Sequence, residues 1–150
     1  MLRLVIDTST SSVSLGILSD EGWLECIDEK DIPQQQSKVL FNLIQKLFEP
    51  LGIEKKEITE IAIGQGPGSY TGLRMGMTVA KVWSFAQKIP LYTFSSAELL
   101  KKTKQKEPTA EYPQVKYLEL SDYKLIEAVN DLEPIYENDH FAKKETETTK

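Results

Sequence analysis

Ile61-Ala62-Ile63-Gly64-Gln65-Gly66-Pro67-Gly68-Ser69-Tyr70-Thr71-Gly72 is the stretch from which the fold can be read. The apolar run from Ile58 to Gly64 is too short for a helix and reads as a central strand. A glycine-dense turn follows it, and beyond the turn a helix is expected from about Thr71 to Gln87. Pro90 stops that helix, and Leu91 to Phe94 supplies another strand. Ser95 or Ser96 is placed to cap a third helix through Leu100.

Upstream of this unit the period is that of strands. Leu2 to Asp7 is a short apolar run that ends in the hydroxyl-rich turn Thr8-Ser9-Thr10-Ser11-Ser12. Val13, Leu15 and Ile17 alternate with smaller residues, and Asp20-Glu21-Gly22 offers turn chemistry before a third strand from Trp23 to Lys30. After Pro33 the period changes. Ser37 can cap a helix, with Leu40, Leu43, Ile44, Leu47 and Leu51 at spacings of three and four, and Gly52 ends it. The expected order is βββαβαβα, a mixed α/β sheet with helices on its faces.

From residue 101 the character shifts. Residues 101–113 are rich in Lys, Glu, Gln and Pro and read as a linker or exposed loop, with the lysines of 101–106 as a solvated helix end. Residues 115–120 are expected to form one strand, and 143–150 a disordered polar tail. The expected division is therefore a lobe at 1–100, a shortened second-lobe remnant at 101–142, and the tail.

The chain has 150 residues, 40% hydrophobic and 27% charged, with a net charge of -5. Such a mixture fills a core, and the net charge gives the chain no general attraction for nucleic acid. Cys26 is the single cysteine and His140 the single histidine. No internal disulfide, zinc site or Ser-His-Asp arrangement is expected from that set. The first apolar run ends at Asp7, too short for a signal core or a membrane span, so a soluble cytoplasmic protein is expected.

Two stretches are able to carry chemistry. The loop at Gly66, Gly68, Ser69 and Thr71 lies between strand and helix, where backbone N–H groups can receive an anion. It lacks the Lys-Ser/Thr ending of a Walker A loop and does not match the dinucleotide fingerprint. The alternative is a tight turn with close helix packing. Gly72, Gly76 and Ala80 recur every four residues and leave one side of the helix nearly bare, and for Gly76 and Ala80 packing is the preferred reading. Asp7 and Thr8, at the end of a strand, can hold magnesium or phosphate, or can form an Asx or hydroxyl turn. The first helix has more apolar residues than one stripe needs. Val39, Leu43 and Leu47 on it, with Met75, Val79, Val82 and Trp83 on the next helix, are the expected partner surface, half of a four-helix bundle.

Leu4-Val5-Ile6-Asp7-Thr8-Ser9-Thr10 with Val13-Ser14-Leu15-Gly16 resembles the opening of the TsaB (YeaZ) family. Gly66-Pro67-Gly68-Ser69-Tyr70-Thr71-Gly72-Leu73-Arg74-Met75-Gly76 resembles its signature, and Leu132-Glu133-Pro134-Ile135-Tyr136 its closing segment. The resemblance implies an actin-like, ribonuclease-H-like lobe. It implies a non-catalytic scaffold subunit that pairs with the transferase TsaD in threonylcarbamoyladenosine modification of tRNA, with the ATPase TsaE joining. Under it tRNA is reached only through the complex, and ATP and a metal are expected there rather than on this subunit. A homodimer competes with the TsaD pairing, and no membrane is involved. Gln36-Ser37 departs from the family's His-Ser pair, and the chain after residue 100 is shorter than the family's second lobe. The rival reading is a small-molecule ATPase or kinase of the actin-like superfamily, which needs a second phosphate loop. None is found after Leu100. A peptidase lacks a nucleophile–base pair here.

Overall fold

A computed structural model of the chain describes residues 1–30 and 37–136. Strands β1 (Leu2–Asp7), β2 (Val13–Ser19) and β3 (Gly22–Glu29) come first, then helix α1 (Ser37–Phe48). Strand β4 (Glu60–Gly64), helix α2 (Tyr70–Gln87), strand β5 (Leu91–Phe94), helix α3 (Ser96–Lys106) and strand β6 (Lys124–Ile126) complete the described chain. The order βββαβαβα holds, with β6 added. The sheet runs β3-β2-β1-β4-β5-β6. β1 lies antiparallel to β2 and parallel to β4, β5 is parallel to β4, and β6 is antiparallel to β5. The sheet is therefore mixed, with β1 and β4 at its centre.

Alternation along the central strands divides the core into two layers. Leu4, Ile6, Ile61 and Ile63 pack with Leu40, Leu43, Ile44 and Leu47 of α1 and with Met77, Val79, Ala80 and Trp83 of α2. Val5 and Ala62 point the other way, to Phe94, Leu99, Val115 and Leu118. This is the two-residue period of a strand buried on both faces. α1 breaks where expected: a 3₁₀ turn at Glu49–Leu51 carries Pro50, and Gly52 closes it at φ 63°.

The region after residue 100 departs from the expectation of a linker and one strand. α3 runs on to Lys106 and so crosses the division placed at residue 100. Ser95 caps it by accepting a hydrogen bond from the Glu98 N–H. Only Ser96, Leu99 and Thr103 of α3 are buried, a stripe too narrow to show above the lysines. Thr103 Oγ1 donates to Leu99 O at 2.8 Å and accepts the Gln114 N–H at 3.0 Å, which folds the following loop back onto the helix. Residues 115–120 are not a strand. Val115–Tyr117 and Leu120–Asp122 are 3₁₀ turns, and the Val115 N–H donates to Ser14 Oγ rather than to a sheet edge. The strand is β6, a few residues later. Residues 101–136 thus lie on the same sheet as the first hundred and add Val115, Leu118 and Leu132 to its core. The expected cap role of the Ser37 side chain, Gln36, His140 and the polar tail lie outside the described residues.

Candidate functional site

Parallel pairing of β1 and β4 brings their carboxyl ends together, and two turns meet there: the hydroxyl turn after Asp7 and the glycine loop after Gly64. The Asp7 carboxylate is buried between them. Its Oδ1 accepts from the Ser9 N–H at 3.0 Å and from Ser9 Oγ at 2.6 Å, an Asx turn. Its Oδ2 accepts from Ser96 Oγ at 2.8 Å, and Ser96 Oγ in turn accepts the Gly66 N–H at 3.1 Å. Burial pushes the Asp7 carboxyl above its ordinary pKa, opposed by the hydrogen bonds from Ser9 and Ser96.

The glycines explain how closely the loop sits. A Cβ on Gly64 would stand 2.2 Å from Asp7 Oδ2, and one on Gly68 2.2 Å from Ser9 O. Gly66 takes φ 104°, conformational space that a glycine enters without strain. Several amides of the loop and helix start have internal acceptors. The Ser69 N–H donates to Ser9 O at 2.8 Å, the Leu73 N–H to Ser69 O, and the Gly72 N–H to Ser69 Oγ. Of the predicted anion contacts, Asp7, Thr8, Gly66 and Gly68 are buried, Ser69 is half-buried, and only Thr71 is exposed. The arrangement therefore knits two turns to a helix start. Among the described residues no three His, Cys, Asp or Glu side chains form a metal-binding group.

Gly72 and Gly76 let α2 lie against Thr8. A Cβ at Gly72 would meet Thr8 O, and one at Gly76 would meet Thr8 Oγ1 at 2.2 Å and Ile63 Cδ1 at 3.1 Å. At Gly76 the close neighbours are thus side chains. Thr8 Oγ1 donates to Gly72 O at 2.7 Å, and Ala80 is fully buried in the same layer.

The expected partner surface is divided by the fold. Leu43, Leu47, Val79 and Trp83 are buried in the chain's own core, because α1 and α2 lie side by side and close on each other there. The Phe48 and Trp83 rings meet edge to face across that contact, with centroids 6.1 Å apart. These four are corrected from interface to core. Val39 and Met75 are half-buried at its margin. Val82 is 61% exposed, and Phe85, one turn on, is 86% exposed. The outer face of α1 carries Lys38, Asn42, Gln45 and Lys46, with Phe41 43% exposed among them and Lys55 over its ring. Of the two helices, α2 presents the more exposed apolar side chains, at Val82 and Phe85.

The family model for TsaD, tRNA N6-adenosine threonylcarbamoyltransferase, matches residues 31–119. The Bacillus subtilis tRNA threonylcarbamoyladenosine biosynthesis protein TsaB is 30% identical over 101 residues, which is 67% of this chain and 43% of that protein. The chain belongs to the TsaB (YeaZ) family. The Escherichia coli TsaB protein is 28% identical over 96 residues, 64% of this chain and 41% of that protein. The chain thus spans about two fifths of the length of these relatives. The structure of YeaZ from Pseudomonas aeruginosa superposes with a TM-score of 0.64 at 23% identity, covering 85% of this chain and 65% of that one. That likeness is one of fold, the mixed six-stranded sheet with helices on its faces described above.

Sequence reading of this TsaB-family chain missed two parts of the site. Ser96 reads from the sequence as a candidate cap and as part of the family resemblance, yet its hydroxyl also links Asp7 to the glycine loop. Residues 132–136 close over that loop. The Ile135 N–H donates to Gln65 O at 2.7 Å, Gln65 Nε2 donates to Glu133 O at 3.0 Å, and the Tyr136 ring packs against Tyr70. The Leu132 to Tyr136 segment was the signal for this closure, but nothing in its spacing says which loop it covers.

Proposed function

We propose that the chain is a non-catalytic scaffold or activator subunit in tRNA threonylcarbamoyladenosine modification, and that it binds a TsaD transferase through the α2 side of its helix pair. The observation that carries this reading is the exposure of Val82 and Phe85 beside the margin residues Val39 and Met75. Large exposed apolar side chains on adjacent turns of a helix suit a partner helix rather than water. The names of the Bacillus subtilis and Escherichia coli relatives supply the pathway. The TsaE ATPase, ATP and the metal belong to the assembled complex in this proposal. A cytoplasmic location fits it, and among the described residues no helix is long and apolar enough to cross a membrane.

The internal use of the Ser69 and Gly72 amides favours a scaffold over a small-molecule kinase, since a phosphate on either would have to displace Ser9 O or Ser69 Oγ. The test is co-expression with the TsaD protein of the same source, a tag on one chain, and capture of both. Co-elution in equal amounts, with no ATP turnover by the chain alone, is the expected result. A chain that elutes without TsaD, or that hydrolyses ATP alone in an Asp7-dependent way, overturns the proposal.

A further inference from the structure

The edge of α2 away from α1 has a different chemistry. Tyr70 opens the helix with 57% of its surface exposed. One turn on, the Arg74 guanidinium lies over the Tyr70 ring, 5.3 Å from its centroid, and donates to the Tyr70 hydroxyl. The Tyr136 ring stands 4.7 Å from Tyr70 on the other element. Lys81 follows Arg74 by seven residues, about 10 Å along the helix axis. Between them Arg74, Thr78 and Lys81 line a 480 Å³ cleft, closed on the far side by Glu133 and Tyr136. α2 contains no Asp or Glu. Among the described residues neither cation is paired with a carboxylate, Glu133 included.

We infer that this edge is a contact for single-stranded RNA, with phosphates on Arg74 and Lys81 and a base against the exposed Tyr70 ring. The inference rests on the reading of the chain as part of an RNA-modifying assembly and adds to it a direct contact by this subunit. Unpaired cations spread along a helix suit a phosphodiester track, whose successive charges they meet one by one. Cations alone would suit an acidic peptide equally well. The exposed aromatic ring held beside a guanidinium decides for RNA, because every base has a face to stack and a glutamate has none. Despite the chain's net charge of -5, the charged side chains that α2 brings to this edge are all positive, with Glu133 as the one carboxylate lining the cleft among the described residues.

The test uses the full chain and a fluorescein-labelled, unstructured twelve-nucleotide RNA, read by anisotropy from low to moderate salt. Binding that weakens with salt is expected. Arg74→Ala and Lys81→Ala should each lower the salt slope by about 0.7. Tyr70→Ala should weaken binding about fivefold or more without changing the slope. Melting curves establish that each variant is folded, and Lys46→Ala, on the outer face of α1, serves as a control that binds as the parent does. A wild-type chain that shows no binding at low salt overturns the inference. So does a glutamate dodecapeptide that binds as tightly as the RNA, or a Tyr70→Ala variant with unchanged affinity. Capture of TsaD by the same variants separates the two proposals: RNA binding lost or absent with TsaD capture intact bears on this edge alone.

Discussion

Ser96 Oγ donates to Asp7 Oδ2 at 2.8 Å, across 89 residues of sequence, and so fastens the start of α3 to the end of β1. The same hydroxyl accepts the Gly66 N–H, so one small side chain fixes three turns. A buried polar group that loses its only partner forfeits its hydration without replacement. Ser96→Ala would leave both Asp7 Oδ2 and the Gly66 N–H without this partner. It is expected to lower stability by about 3 kcal/mol, read as a shift in the denaturant midpoint at unchanged slope. A loss under about 0.5 kcal/mol would mean that the hydroxyl is not a structural tie.

Asp7 gives a pH signature. Its folded carboxyl is raised above the ordinary value because burial disfavours the charge. The folded state therefore holds its proton at pH values where the unfolded chain has released it. Stability from this group is fully present below about pH 4 and is lost as pH rises through the folded pKa. Asp7→Asn removes that dependence. The stability of the wild type minus that of Asp7→Asn should fall as pH rises from about 4 toward neutrality. Denaturant titrations at several pH values measure the difference. A difference that grows with pH would show that the hydrogen bonds from Ser9 and Ser96 outweigh burial.

Thr8 and Gly76 should be energetically coupled. A methyl at Gly76 meets Thr8 Oγ1, so Gly76→Ala is expected to cost about 1–3 kcal/mol by overpacking. In a Thr8→Ala background the hydroxyl is gone and the same change should cost at least about 1 kcal/mol less. The double-mutant cycle by thermal unfolding checks it. Additive costs would place the strain elsewhere, at Ile63 for instance.

The fold was legible where pattern and burial coincide. The bare stripe Gly72, Gly76, Ala80 could be read as close packing because small residues at that spacing have few other uses. β4 and β5 showed as short apolar runs because both faces of these strands are covered. α3 beyond Leu100 was hidden because Thr103 is its only buried residue after Leu99, and a threonine carries no apolar signal. β6 was hidden because it is an exposed edge strand of three residues, whose place is fixed by β5 rather than by its own side chains. At the site, the glycine loop and Asp7 were visible, but their mutual use was not. The hydrogen bonds that occupy the loop amides come from residues up to 60 positions away, as with Ser69 and Ser9. For the helix pair, an excess of apolar residues could not tell core from interface. Val79 and Val82 differ by one helical turn, yet one is buried and the other 61% exposed.

That difference changes the meaning of a charge at Val79. The residue is buried within the α1–α2 layer, so Val79→Glu buries an unpaired carboxylate. It is expected to destabilise the chain by about 3 kcal/mol or more and to abolish partner binding through unfolding. Circular dichroism of the variant is the check. A folded variant with a wild-type melting temperature would remove Val79 from the core described here.

Val82→Glu separates association from folding and tests the docking of a TsaD partner on α2 most directly. Sedimentation velocity across a concentration series, with and without the TsaD protein, gives the affinity, and thermal unfolding gives stability on the same sample. Stability should stay within about 0.5 kcal/mol of wild type, because Val82 is exposed in the free chain. Affinity for TsaD should fall by about tenfold or more, because the interface would enclose a carboxylate with no partner. A folded Val82→Glu chain that binds TsaD as tightly as wild type would contradict docking on this face.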